Sequence, residues 1–227
     1  MTGSPHPTAQ KAPPAWVMYR ALVGVAIVCS LLIVTVYELT APVIAANKAE
    51  ALERAIFDVV PGAESSKSFT VTDSGFEPKT DSAAGPVVHA GFDGSGKLVG
   101  LAIEAQGMGY QDVVRILYGY SPREQAVIGL VVLESRETPG LGDKVETDPT
   151  YRKNFERLDV SVNADGSALA HPIEAVKPGK KQSPWQIDTI TGATITSKAI
   201  ADMIRDSSAE MIPHIRKHQA ALTGATE

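Results

Sequence analysis

The chain of 227 residues is 44% hydrophobic and 21% charged, an ordinarily globular composition that excludes wholesale disorder and is long enough for one domain plus an anchor. Its net charge of −5, with no Lys/Arg cluster on any segment, argues against a nucleic-acid backbone as the partner. The single cysteine, Cys29, sits in the most apolar run, so an intramolecular disulfide and a cysteine-based zinc or iron–sulfur site are both excluded, and any redox chemistry requires a bound organic cofactor.

Residues 1–15, rich in Pro, Ala and small polar side chains, predict a disordered tail. Residues 16–41 predict a transmembrane anchor: Ala21 to Tyr37 carries no charge, and Trp16 and Tyr19 stand like interfacial residues at one end. A cleavable signal peptide is the rival, with "VIA" before Ala46 as its cleavage site, but the apolar run is longer than such peptides carry. Lys11 and Arg20 before the span are matched by Lys48 and Arg54 after it. Arg20 abuts the span and Glu38 follows it, which favours a cytoplasmic N-terminus and a C-terminal domain on the periplasmic or extracellular side of an inner membrane. Residues 42–62 have apolar positions at helical spacing and end at "PG", predicting a connecting helix.

Residues 63–220 read as one domain, followed by a tail over 221–227. "PVVHAGF" and "KLVGLAIEA" flank "DGSG", and "DVVRILYGY" and "AVIGLVVLES" flank "SPREQ", which predicts two hairpins and at least four strands. "DPTYRKNFERL" predicts a short surface helix. "SKAIADMIRDSSAEMI" predicts a helix burying Ile200, Met203, Ile204 and Met211. The fold class expected is α+β: one N-terminal transmembrane helix, then a mainly antiparallel sheet with flanking helices.

No P-loop, dinucleotide fingerprint or GxSxG elbow is present, and "FDGSGK" lacks the acids of a calcium loop. His214 and His218 stand four apart, but Pro213 interrupts the segment and no carboxylate completes a ligand set, so no metal site is expected. In "ETPGLGDK", Pro139 presets a turn while Gly140 and Gly142 free the backbone to take positive φ and approach a flat ligand; "GMGY", Gly107 to Tyr110, has a similar makeup. Either segment by itself is equally well a plain turn. More specific is "DTITGATITSKAI", which places Thr189, Thr191, Thr194, Thr196 and Ser197 around one Gly-Ala pair at a helix start, where one capping hydroxyl would suffice. A glycine-containing turn at a helix N-terminus favours a phosphate, and an exposed threonine there can itself become the ester oxygen.

Asp188-Thr189-Ile190-Thr191-Gly192-Ala193-Thr194 resembles, at every fixed position, the D-x-x-[ST]-G-A-T flavinylation motif of the FMN-binding domain family, and "ETPGLG" is similar to that family's second signature. Within the family the chain resembles the G subunits of Rnf electron-transport complexes from the anchor to about residue 215, with the C subunits of sodium-pumping NADH:quinone reductases as the runner-up. The resemblance implies FMN attached through a phosphoester to Thr194 by a flavin transferase that uses FAD. It implies that Thr191, Gly192 and Ala193 border the phosphate, that Glu137, Thr138, Gly140, Leu141 and Gly142 border the flavin, and that Asp188 belongs to the transferase's recognition sequence. It further implies a redox subunit without its own substrate site, partnered by other membrane subunits of an Rnf-type complex that exchanges electrons between ferredoxin and NAD(H) and moves Na⁺ or H⁺. An anchored binding or assembly module without redox chemistry, and a regulator of respiration, are the alternatives.

Overall fold

The computed structural model describes residues 14–72, 74–80 and 85–223. Most of the disordered tail expected at the N-terminus, and the last four residues of the C-terminal one, lie outside these. The chain divides after Glu50 into two units. The first contributes the apolar part of α1 (Ala15–Val59), which has an 18-residue window of mean hydropathy 2.4 and no buried residue in that window. It is a helix long and apolar enough to cross a membrane. Pro42 lies inside α1 without ending it, so anchor and connecting helix belong to one element.

The second unit opens with the last turns of α1 and is built on an antiparallel sheet. Its strands are β1 (Ser65–Thr72), β2 (Gly75–Pro78), β3 (Val87–Phe92), β4 (Leu98–Met108), β5 (Val113–Ser121) and β6 (Ala126–Glu134). After β6 come α2 (Lys144–Thr147), α3 (Pro149–Arg152) and the short β7 (Leu158–Asp159), which closes a seven-stranded sheet in the order β2-β1-β3-β4-β5-β6-β7. A separate parallel pair, β8 (Glu174–Val176) and β9 (Gln186–Asp188), leads into α4 (Thr194–Thr223). The two expected hairpins are present, and β4 and β5 form a third around Gly109 to Asp112.

Strand alternation sends neighbouring residues to opposite faces and so divides the core in two. Val88, Ala90, Leu101, Ile103, Ile116 and Tyr118 pack against Ile200, Ile204 and Ile212 of α4. Ala102 and Leu117 face the other way, against Ala55, Ile56, Val59 and Val60 at the end of α1. A Cβ on Gly129 would stand 2.9 Å from Val59 Cα, and one on Gly119 would meet the Val59 carbonyl, so these two glycines let the helix end lie directly on the strands.

The expected surface helix is corrected. It is broken into α3 and a 3₁₀ turn, Lys153–Phe155, and it buries Tyr151 and Phe155, whose rings meet edge to face at 5.2 Å. Tyr151 and Phe155 stand four apart, the spacing of one helix face, and that face turns inward. The last helix also differs from expectation: α4 starts three residues earlier, at Thr194, and runs through Pro213. The proline removes one N–H, but Met211, Ile212 and Ile215 around it are all buried, and the backbone stays helical past it until a kink at His218 (φ −113°, ψ 16°).

Candidate functional site

Three segments distant in sequence meet at the start of α4: the β4–β5 loop, the turn after β6, and the "TGATIT" turn. They enclose a cleft of about 360 Å³ lined by Tyr110, Glu137, Thr138, Leu141, Gly142, Gly192, Ala193, Thr194, Ile195 and Thr196. Seven of the expected site residues therefore share one cavity: Glu137, Thr138, Leu141, Gly142, Gly192, Ala193 and Thr194. Gly140, at φ +78°, shapes the turn without lining the cleft, and Thr191 is exposed beside it.

The hydroxyl cluster divides sharply by role. Thr189 donates to Val176 O at 2.9 Å, tying the turn to β8. Ser197 donates to Ala193 O at 2.8 Å and accepts from Ile190 N at 3.2 Å, so it locks the turn onto the helix. Thr196, fully buried, donates to Glu137 Oε2 at 2.7 Å. Thr194 is exposed, and its hydroxyl donates to Ile190 O at 3.2 Å, a carbonyl that also accepts from Ala193 N. The surplus noted in the sequence is therefore mostly internal bracing, and Thr194 is the hydroxyl exposed within the cleft. Gly192 sits at φ +87°, the left-handed conformation that reverses the chain just ahead of the helix. The amides of Thr194, Ile195 and Thr196, at the first turn of α4, precede any intrahelical acceptor and carry the positive end of the helix dipole.

Glu137 is the hub. Its residue is only 7% exposed, yet the carboxyl is held below its ordinary value: burial pushes it up, and donation from Gln111 N, the Thr196 hydroxyl and the amides of Asp112 and Tyr110 outweighs that. Gln111 N lies 3.0 Å from Oε1. A Cβ on Gly109 would fall 2.5 Å from Oε1, and one on Gly142 2.5 Å from Oε2. This corrects the expected reason for Gly142, which leaves room for a carboxylate of the chain itself rather than taking positive φ. One side chain thus fastens together the three segments that form the cleft.

Asp188 faces away from the cleft. Its Oδ1 accepts from Lys180 N and Lys181 N, both at 3.0 Å, fixing the loop before β9. Sequence reasoning missed Thr196 and Ile195 as cleft residues, and it missed Lys144, which lies outside the cleft lining with its Nζ 3.9 Å from where a Cβ on Gly192 would stand. Tyr110, Leu141 and Ile195 are 67%, 50% and 56% exposed, an apolar rim around a polar floor. Far along α4, His214 and His218 lie with ring centroids 4.7 Å apart, and His214 meets Phe76 edge-on at 5.5 Å.

The geometry fits a phosphorylated planar ligand, with donors and the helix end for the phosphate and apolar side chains for a ring. Comparison with known proteins agrees. Residues 109–209 match the FMN-binding domain, and residues 21–59 match the RnfG N-terminal region. The G subunit of the ion-translocating oxidoreductase complex of Methanosarcina acetivorans is 29% identical over 192 residues, covering 82% of this chain and 88% of the relative. That of Shewanella piezotolerans is 28% identical, over 85% and 87% respectively. The G subunit of the Na⁺-translocating ferredoxin:NAD⁺ oxidoreductase complex of Acetobacterium woodii is 30% identical over 50% of this chain and 49% of its own. In fold, the chain is similar to the crystal structure of Shewanella oneidensis NqrC, at TM-score 0.61 and 18% identity, covering 77% of this chain and 99% of that one. The two family matches follow one another along the chain, the RnfG N-terminal region first and the FMN-binding domain after it.

Proposed function

We propose, from that FMN-binding domain and RnfG-type N-terminal region, that the chain is a membrane-anchored electron-carrier subunit of an Rnf-type complex, with FMN joined to Thr194 by a phosphoester. The observation that carries the reading is the exposed Thr194 hydroxyl at the N-terminus of a long helix, inside a cleft with amide donors below and apolar side chains above. Relatives of the G type that align along most of the chain support this assignment over the C subunit of the quinone reductase, whose likeness is one of fold.

Attachment is a phosphoryl exchange. The Thr194 oxygen bonds to the phosphorus of the FMN half of FAD on a flavin transferase, the phosphoanhydride P–O bond breaks, AMP leaves with the electron pair, and the hydroxyl proton passes to solvent. Held in place, the flavin supplies the electron transfer. The chain's own residues would do the rest: the amides of Thr194 to Thr196 would hold the phosphate, Thr191, Gly192 and Ala193 shape its turn, Tyr110, Thr138, Leu141 and Ile195 would border the ring, and Gly140 shapes the turn that carries Leu141. Asp188, through the loop it braces, presents the turn to the transferase. The protein has no substrate site of its own and passes electrons to other membrane subunits, in a complex that works between ferredoxin and NAD(H) and couples the flow to Na⁺ or H⁺ movement.

Residues 16–41 anchor it and residues 63–220 form the flavin domain, with the N-terminus cytoplasmic and the domain periplasmic or extracellular, on the strength of Arg20 beside the span. Protease added to sealed cells after removal of the outer membrane should digest the domain; protection until the inner membrane is broken reverses the topology. For the attachment itself, wild type, Thr194→Val and Thr147→Val are compared by in-gel flavin fluorescence after SDS, each with and without the transferase. Wild type and Thr147→Val should fluoresce only with the transferase, and Thr194→Val should stay dark. Covalent fluorescence in Thr194→Val moves the linkage to another residue.

A further inference from the structure

The geometry points to Lys144 as the cation that neutralises the flavin phosphodiester, an inference that rests on the covalent-FMN reading and extends it. Lys144 opens α2, directly after the "ETPGLGD" turn, and is half-buried. Its Nζ reaches to 3.9 Å from the point a Cβ on Gly192 would occupy, two residues before Thr194. Gly192 is where the chain turns into α4, so the amine stands beside the mouth of the helix.

Position separates this lysine from the other cations of the domain, several of which are paired elsewhere. Arg115 pairs with Glu104, Arg136 with Asp112, Arg157 with Glu124 and Arg205 with Asp202 and Asp206. Among the described residues Lys144 has no carboxylate within ion-pair distance. Its neighbour Asp143 does not serve, and Asp143 Oδ1 is itself buried without a hydrogen-bond partner. Glu137, the acid that lines the cleft, accepts instead from Gln111 N and the Thr196 hydroxyl. A half-buried amine without a carboxylate partner, beside the Gly192 turn that leads to Thr194, can serve as a binding site for one negative charge. The helix end supplies the equivalent of roughly half a unit of positive charge. A phosphodiester carries one full negative charge, more than the helix end offsets, and Lys144 supplies the positive charge still needed. During transfer, charge builds on the non-bridging oxygens of the same phosphorus, so the lysine speeds attachment as well as holding its product. It is a positioning residue, since the threonine oxygen forms the bond.

The test uses the full chain in membranes with purified transferase and FAD below saturation. Labelling of wild type, Lys144→Met and Lys144→Arg is followed by intact mass, and the ³¹P resonance of each labelled chain is recorded native and denatured. Lys144→Met should label at least tenfold more slowly and Lys144→Arg within about threefold of wild type, because a guanidinium restores the charge. The native ³¹P resonance should move in Lys144→Met, while all denatured chains coincide and the unlabelled chains melt together. Wild-type labelling rate and an unmoved native resonance in Lys144→Met would overturn the role of the lysine and leave the covalent reading intact. So would slow labelling that follows a lowered melting temperature and is not restored by arginine. A wild-type chain that never acquires FMN overturns the covalent reading and this inference with it.

Discussion

Two glutamates drawn back from solvent, one in the sheet and one at the cleft, meet the same problem by opposite means. Glu104 lies on the face of the sheet turned toward the end of α1, in a chain of side chains that crosses five strands. Ser68 bonds His89 Nδ1 at 2.8 Å, His89 Nε2 stands 3.3 Å from Glu104 Oε1, Arg115 donates to Glu104 Oε2 at 2.8 Å, and Arg115 lies 3.7 Å from Glu134. Its carboxyl is held below the ordinary range first by His89, against burial, and then by Arg115. Glu137 at the cleft is held down as well, but by amides and a hydroxyl with no cation in contact. Neutral donors satisfy an anion without cancelling it. The Glu104 charge is spent inside the strand ladder, whereas that of Glu137 remains a fixed negative potential on whatever occupies the cleft.

The contrast breaks most visibly at Glu137. Glu137→Ala leaves the buried Thr196 hydroxyl and the Gln111 amide without their acceptor and unfastens three segments; it should cost about 3 kcal/mol and abolish covalent flavin, read by thermal unfolding and in-gel fluorescence. Glu104→Ala leaves Arg115 with Glu134 and His89 with Ser68, so a smaller cost of about 1–2 kcal/mol with full flavin content is expected. Equal flavin loss in both variants would erase the distinction.

Acid sharpens the comparison. Both carboxyls have folded values below the ordinary 4.5, so each contributes stability above pH 4.5 that is lost as pH falls through the lower folded value. Denaturant midpoints measured from pH 6 to pH 3 should fall for wild type, and each single Glu→Gln variant should fall less steeply. A wild-type midpoint unchanged across that window would contradict the ionised state of both groups.

Thr196→Val removes one donor from a charged acceptor and should cost roughly 1–2 kcal/mol in urea unfolding, with partial loss of flavin. A hydroxyl just outside the attachment motif is therefore no neutral control. The smallest effect belongs to Arg136→Ala, beside the cleft, whose ion pair with Asp112 at 3.5 Å is exposed on both sides; less than about 0.5 kcal/mol is expected. A larger loss there would show that surface charge, and not the Glu137 clasp, governs the cleft.

What was legible in the sequence was periodic or a motif. Strands β3 to β6 alternate clearly, and Thr194 follows from the order of residues around Gly192. Strand β1, "SSKSFTVT", was missed because its outward positions are Ser, Lys and Thr, and only Phe69 and Thr70 of it are buried. The start of α4 was placed late because Thr194 and Thr196 are poor helix formers, and a side-chain bond from Thr194 back to Ile190 and a tertiary one from Thr196 to Glu137 fix the first turn. The Glu137 clasp joins residues 59 apart, and no local pattern encodes it.

The bond from Thr194 Oγ1 to Ile190 O has a consequence for the modified chain. It exists only while the oxygen carries hydrogen. Esterification would leave two oxygens facing each other at 3.2 Å with nothing to share, while Ala193 N keeps the carbonyl satisfied. The side chain then has every reason to swing about χ1 toward the open cleft. On the proposed linkage, attachment would free the rotor that the unmodified threonine keeps latched, and the bare and loaded forms would differ in one torsion before any electron arrives.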